Sequence, residues 1–160
     1  MTDIELIPYS ASDHAWLVEQ HQTLYQQSEG FDDSFGPLVD GILSDFEQGA
    51  DLTCEQGWIA RRGAQRLGSI FCVKLDEDTA KLRLFLTAAE ARGTGLGKRL
   101  LAQCMSFAKA KGYKRMTLWT HESHLAACAL YARAGWRCVS SKAVQSFGVS
   151  LIEQQWEIAL

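Results

Sequence analysis

The sequence predicts a mixed α/β domain with the element order βααβββαβαββ, and three observations carry that prediction. The chain has 160 residues, the length of one domain, and 47% hydrophobic against 22% charged residues supply a real core. Residues 57–87 fall into three short apolar or alternating segments separated by turn residues, the pattern of an antiparallel meander. The flanking stretches switch to helical spacing, with no internal repeat, low-complexity run or linker, so residues 1–160 read as one domain.

Ile4 to Tyr9 alternates apolar with polar residues, ends near Pro8 and reads as a short strand. Ser12 offers an N-cap to a helix from about Asp13 to Gln27, with Trp16, Leu17, Leu24 and Tyr25 as its buried stripe. Ser28 to Ser34 is an acidic and aromatic loop. A second helix, from about Phe35 to Gln48, carries Leu38, Ile42, Leu43 and Phe46 at helical spacing, and Gly49 caps it. Gly57 to Arg62 is a strand, Gly63-Ala64-Gln65 a turn, and Leu67 to Leu75 a nearly continuous apolar, hence central, strand. After the turn Asp76-Glu77-Asp78, Lys81-Leu82-Arg83-Leu84-Phe85-Leu86 alternates strictly, as a strand with two different faces does. Leu96, Leu100, Leu101, Cys104, Phe107 and Ala108 stripe a helix that Gly112 ends, with Lys109 and Lys111 in its last turn, where the dipole favours cations. Arg115 to Thr120 is a strand, Glu122 to Ala134 a helix ended by Gly135, and Trp136 to Ser140 and Leu151 to Ile158 the last strands.

Composition narrows the function classes. A net charge of −3 and a pI near 5.8 oppose a nucleic-acid binder, which carries a basic excess. The five cysteines, Cys54, Cys72, Cys104, Cys128 and Cys138, form no C-x-x-C pair, and their odd count fits no disulfide framework. They read as small buried hydrophobes in a reducing compartment, and no metal site is expected. Trp58, Trp119 and Trp156 sit in strand patterns and read as core. Met1 to Glu5 lacks the layout of a signal peptide, and no apolar run approaches the roughly 20 residues that span a bilayer. The expectation is a soluble, cytoplasmic protein without a membrane partner.

The chemistry concentrates in Arg92-Gly93-Thr94-Gly95-Leu96-Gly97, between the alternating strand and an amphipathic helix. Glycines permit tight turning and close backbone approach to a ligand. Amides at a helix N-terminus offer donors and a positive dipole to an anion. Arg92, Lys98 and Arg99 are cations at that positive end, each unfavourable by about 0.3–1 kcal/mol on dipole grounds alone. An anionic ligand converts the penalty into attraction. A nucleotide P-loop needs Ser or Thr after Gly97-Lys98, where Arg99 stands, and a dinucleotide fingerprint needs Gly where Lys98 stands.

The loop resembles the R/Q-x-x-G-x-G/A signature of the GNAT N-acetyltransferase superfamily. The resemblance extends over the strand Leu82 to Leu86, the helix with Leu100-Leu101, and Ala129-Leu130-Tyr131-Ala132-Arg133-Ala134-Gly135-Trp136, which is similar to the family's "LYxxxGF" helix end. Residues 80–160 carry it, and the N-terminal half matches in pattern. Ser146-Phe147-Gly148 through Gln155-Trp156-Glu157 looks most like the acetyltransferase half of bacterial proteins that fuse a MarR-type DNA-binding domain to a GNAT domain, and no such DNA-binding half is read in these 160 residues.

The resemblance implies a GNAT-like acyl-CoA N-acyltransferase fold with acetyl-CoA as co-substrate. It assigns the CoA pyrophosphate to backbone amides of Gly93, Thr94, Gly95, Leu96, Gly97 and Lys98, with charge from Arg92 and Lys98. It assigns the pantetheine arm to backbone groups near Leu84 and Leu86, added like a strand beside the fourth strand, which splays from the fifth. Tyr131 takes the place of the general acid that protonates the departing thiolate. His124 stands where the family often has Asn. Candidates for the base are His121, which titrates near neutrality, and Glu29 with Asp32 and Asp33, which serve either as base or as anchors for a cationic substrate. Arg83 is positioned to bind an acceptor carboxylate. The expected function is transfer of an acetyl group to a primary amine of a small molecule or amino acid, by direct attack through a tetrahedral intermediate. Alternatives are acetylation of a peptide or protein lysine or N-terminus, and a non-catalytic acyl-CoA sensor. Many relatives dimerise through late strands, so a homodimer is compatible with the resemblance.

Overall fold

The computed structural model describes residues 3–160 and has the expected order of elements. These are β1 (Glu5–Pro8), α1 (His14–Glu29), α2 (Phe35–Gly49), β2 (Gln56–Arg62), β3 (Gln65–Lys74), β4 (Thr79–Thr87), α3 (Leu96–Ala110), β5 (Arg115–His121), α4 (Leu125–Arg133), β6 (Arg137–Ser146) and β7 (Val149–Ala159). Single 3-10 turns, Ala11–Asp13 and Ala89–Ala91, precede α1 and follow β4. The chain divides into two compact units, one of Met1–Asp13, Ala50–Met116 and Ala159–Leu160, the other of His14–Gly49 and Thr117–Ile158.

In the first unit β1, β2, β3 and β4 follow one another antiparallel. The two-residue turn Gly63-Ala64 fixes the β2–β3 register at Arg62 opposite Gln65. At the other end, Asp76 accepts the amides of Asp78 and Thr79 at 2.9 and 2.8 Å and closes the β3–β4 turn. α3 buries Leu96, Leu100, Leu101, Cys104 and Ala108, the stripe its period predicts. Gly68 sets how closely it sits. A Cβ there would stand 2.7 Å from the Leu86 carbonyl oxygen and 3.2–3.3 Å from Leu100 and Leu96, so β4 and α3 approach β3 only over a glycine. Asp13, 1% exposed, anchors the N-terminal segment by accepting from Arg61 and Arg66, both at 2.8 Å. Ser12, the expected N-cap of α1, instead pairs its hydroxyl with that of Ser10 at 2.7 Å, and the Ser10 amide goes to the Asp13 carboxylate.

The second unit holds the α1–α2 pair, residues 117–121 of β5, α4, and the β6–β7 hairpin, with strand order β5-β7-β6. Thr117 ties β5 to β7, donating to the Trp156 carbonyl at 3.2 Å and accepting from Gln155 at 3.1 Å. α2 buries Gly36, Val39 and Leu43; Leu43 belongs to the expected stripe, whereas Leu38 is 47% exposed and Val39 is buried in its stead. α1 buries Leu17 and His21 rather than a full apolar stripe. Aromatic rings fill the space instead: Phe31 packs on Tyr25, Phe35 and Phe147 with centroids 5.4, 5.0 and 4.8 Å apart. Phe147 holds φ +54 in the two-residue hairpin turn with Gly148, a strained position that its ring contacts and the Asp32 N–H to Phe147 carbonyl bond of 2.8 Å offset. Two further core expectations are corrected: Trp119 is 43% exposed, and Cys138 is exposed on β6.

Candidate functional site

The loop before α3 takes the conformation its glycines allow. Gly93 and Gly95 have φ +78 and +77, and nothing lies within 4 Å of a Cβ built on either, so the demand on them is backbone conformation, not space. Thr94 closes the turn, its hydroxyl donating to the Ala91 carbonyl at 2.5 Å. Gly95 is the N-cap and has no side chain to offer, and the Thr94 hydroxyl takes only the Leu96 amide, at 3.3 Å. The first helical amide to find a carbonyl is that of Arg99, onto Gly95 at 3.1 Å, which leaves the amides of Gly97 and Lys98 without an intrahelical acceptor. Arg92 and Lys98 are exposed and form no ion pair among the described residues. Arg99 has a different task from the one the sequence suggests: it donates to the Ile4 carbonyl at 3.0 Å, tying α3 to β1. Donors, dipole and two unmatched cations thus converge at one exposed turn, a fit for a pyrophosphate.

β4 departs from the strict alternation read in its sequence. Its register with β3 slips between Ser69 opposite Leu86 and Phe71 opposite Arg83, where β4 carries one residue more than β3. Leu84 sits in this bulge at φ +49, and the hydroxyl of Ser69, itself 0% exposed, donates to its carbonyl at 2.6 Å. Arg83 is half-buried beside Lys81, whose ammonium is pushed down by burial and by the Arg83 charge. The bulge interrupts the even face that the sequence assigns to Lys81, Arg83 and Phe85.

In the second unit, three residues from distant parts of the chain meet. Glu29 ends α1, His121 ends β5, and His124 is the N-cap residue of α4. His124 Nε2 lies 3.4 Å from Glu29 Oε1, with side-chain exposures of 15% and 10%. At that distance no hydrogen bond is formed, the contact becomes an ion pair only when the ring is protonated, and Nε2 has no hydrogen-bond partner among the described residues. His124 Nδ1 lies 3.2 Å from the Thr120 hydroxyl. The rings of Tyr25 and His121 flank His124, with centroids at 4.8 and 5.4 Å. His121 packs on Phe31, and its Nδ1 is buried without a partner among the described residues. Burial lowers the pKa of both histidines below the ordinary value, against the pull of Glu29 on each and of Glu153 on His121. Burial, then the Glu29 carboxylate, pushes the Tyr25 phenol up to about 12.

Residues 14–136 match the Acetyltransferase (GNAT) family. The chain belongs to the GNAT acetyltransferase family. Its members are acetyl-CoA-dependent acyltransferases. A stretch of 95 residues is 30% identical to human N-acetyltransferase 8B; that stretch is 56% of this chain and 40% of the relative, so the chain spans well under half of that protein. Among solved structures, N-acetyltransferase from Staphylococcus aureus Mu50 superposes with a TM-score of 0.82 at 16% identity over 99% of both chains. The Salmonella typhimurium protein yncA, solved with its cofactor acetyl-CoA, gives 0.76 at 13% identity over 99% of this chain and 95% of its own. These likenesses show a GNAT fold.

Within this GNAT chain, the remaining predicted residues fall as follows. Tyr131 on α4 is 3% exposed and packs on Trp136 and Trp156, with centroids at 5.7 and 6.0 Å. Asp32 is exposed, but its carboxylate already accepts the Ser34 amide at 3.0 Å and the Ser34 hydroxyl, and these bonds hold it below the usual carboxylate range. It shapes the loop ahead of α2. Asp33 instead lines a groove of about 670 Å³ in the α1–α2 pair, with His14, Val18, Gln22, Gly36 and Asp40. Residues 14–49 contain seven Asp and Glu and no Lys or Arg. His14 bridges the pair, with ring nitrogens 2.6 Å from Asp40 and 2.8 Å from Glu47. Carboxylates only accept, so both contacts require the imidazolium, and the two carboxylates raise its pKa.

The sequence reading missed Thr120, Tyr25 and the pairing of His124 with Glu29. One signal was available: His124 stands where the family often has a neutral amide. No helix among the described residues is long and apolar enough to cross a membrane.

Proposed function

We propose that the chain transfers the acetyl group of acetyl-CoA to a primary amine of a small molecule or amino acid. The observation that carries the reading is the cationic N-terminus of α3, whose unpaired Gly97 and Lys98 amides and unmatched Arg92 and Lys98 side chains suit the CoA pyrophosphate. The Leu84 bulge frees β4 from regular pairing and offers backbone groups at Leu84 and Leu86 to the pantetheine amides.

The amine, in its neutral form, attacks the thioester carbonyl and forms a tetrahedral intermediate. An amide near Leu86 is the proposed donor to its oxyanion. The proton shed by the amine goes to the cluster of Glu29 and His121 with His124 beside them, whose two histidines burial holds toward the neutral form. Tyr131 gives its phenolic proton to the departing thiolate. The carboxylates of Asp32 and Asp33 and the guanidinium of Arg83 are the proposed contacts for the acceptor's charged groups. A cytoplasmic homodimer belongs to the same proposal. Its candidate interface is β6, exposed along nearly its whole length.

Release of free thiol across a panel of small-molecule amines, amino acids and lysine peptides tests the reaction. Tyr131→Phe should lower kcat by about 100-fold while the rise in melting temperature with acetyl-CoA persists. Wild-type turnover in Tyr131→Phe would remove Tyr131 from its role. A melting temperature indifferent to acetyl-CoA would remove the loop from its own.

A further inference from the structure

The groups around His124 define where protons sit. A carboxylate accepts and does not donate, so the nearby Glu29 favours the neutral tautomer with its proton on Nε2, which leaves Nδ1 to accept the hydroxyl hydrogen of Thr120. The 3.4 Å Nε2 to Oε1 separation leaves room to shorten once the ring is charged. The side chain makes no helix-capping hydrogen bond although His124 is the N-cap of α4, because its ring is committed to Thr120 and Glu29. His121 lacks such support: its buried Nδ1 has no hydrogen-bond partner among the described residues to fix a tautomer.

We propose that Thr120, His124 and Glu29 form the proton exit of acetyl transfer, with Thr120 passing the amine's proton to His124 Nδ1 and Glu29 holding the resulting imidazolium. This rests on the reading of the chain as an N-acetyltransferase. As the N–C bond forms, the amine nitrogen becomes cationic. One N–H bond breaks, its proton goes to the Thr120 oxygen, and the hydroxyl's own hydrogen moves to Nδ1, so Thr120 ends unchanged. The C–S bond breaks with its electron pair leaving on sulfur, which takes the Tyr131 proton. Water then removes the His124 proton and restores that of Tyr131. Thr120, 9% exposed, is the contact with the amine, and Glu29 is a positioning residue acting through His124.

The titratable groups facing His124 are Glu29 and Tyr25 on α1, His121 on β5 and Cys128 on α4, with Glu153 of β7 beyond His121. Tyr25 is pushed up to about 12, and burial raises the Cys128 thiol, so neither titrates near neutrality.

The test is the pH dependence of kcat in the full chain, with histidine NMR titration alongside. Thr120→Val should lower kcat at least about 10-fold with the acetyl-CoA KM unchanged, and Thr120→Ser should recover most of that loss. Glu29→Gln removes the charge that favours the imidazolium, so the His124 titration and the rising limb of kcat both move to lower pH. His124→Gln should abolish that limb. Retained kcat in Thr120→Val, or a rising limb at the same pH in His124→Gln, overturns the relay while the acetyltransferase reading stands. A wild-type chain that acetylates no amine overturns that reading and the relay together. A His124 titration indifferent to Glu29→Gln refutes the Glu29 coupling whether or not turnover is seen.

Discussion

Replacing Ser69 with alanine isolates what holds the β4 bulge. Its fully buried hydroxyl donates at 2.6 Å to the carbonyl of Leu84, which sits at φ +49. A net intramolecular hydrogen bond contributes about 0.5–1.5 kcal/mol, and a carbonyl deprived of its donor raises the loss to about 1–3 kcal/mol. For a chain of this size the melting temperature falls by about 2–4 °C per kcal/mol. The left-handed conformation of Leu84 costs about 1–2 kcal/mol for an L side chain, and the Ser69 bond helps to hold it there. Leu84→Gly removes that cost. In a double-mutant cycle by urea denaturation, Ser69→Ala should therefore cost less in the Leu84→Gly background, with a coupling of at least about 0.5 kcal/mol. The same substitution should raise the acetyl-CoA KM, because the proposed pantetheine contacts lie on this bulge. Additive effects, within about 0.3 kcal/mol, together with an unchanged KM, would show that the bulge stands without Ser69 and refute the reasoning.

Gly95→Ala should destabilise by about 1 kcal/mol and weaken acetyl-CoA several-fold, since alanine at φ +77 strains the cap, whereas Gly41→Ala, inside α2 with no neighbour near its Cβ, should stabilise by about 0.5–1 kcal/mol; thermal melts with and without acetyl-CoA read both. His14 has a raised folded pKa, so its contribution is complete below the ordinary 6.5 and disappears as pH rises through the folded value. Urea stability of wild type should thus fall in that window by on the order of 1 kcal/mol relative to its value at pH 6, and the fall should be absent in His14→Gln. For Asp13, burial pushes the carboxyl up, but bonds from Arg66, the Ser10 amide and Arg61 prevail and hold it down; its contribution is present above 3.8 and is lost as pH falls through the lower folded value. Asp13→Ala should cost about 3–5 kcal/mol at neutral pH, measured by denaturant unfolding.

Local features were legible in the sequence and tertiary ones were not. The α3 loop is a matter of spacing within six residues, and its glycines have the left-handed backbone that the spacing requires. The stripe Leu96, Leu100, Leu101, Cys104 and Ala108 is buried as its period predicts. The β4 bulge is invisible in Lys81 to Leu86, whose alternation is unbroken, because its cause lies on β3 at Ser69 and Gly68. On α2 the sequence gives both Leu38 and Val39 to choose from, and only packing on α1 selects Val39. By local rules Arg99 is a misplaced cation, and only the fold supplies its partner, a carbonyl 95 positions earlier. Glu29, Thr120 and His124 are likewise separated along the chain, and no periodicity brings a helix end to a strand end. His124 departs from the family habit in the sequence itself, but its meaning depends on what faces it in the fold.

The charge distribution of the helical pair has a kinetic consequence. With seven carboxylates and no Lys or Arg between residues 14 and 49, that segment projects a negative potential, while Arg92 and Lys98 project a positive one from the α3 loop. In the proposed reaction the two co-substrates carry opposite charge, a protonated amine in solution and a polyphosphate. Each is drawn to one surface and repelled by the other, so encounter is sorted before any specific contact forms. Between about 0.01 and 0.15 M salt the screening length shrinks from about 30 to 8 Å. Capture of both partners should slow together over that range while the bound-state chemistry is unchanged. On that reading each co-substrate is selected by the sign of its charge at long range and by shape only afterwards.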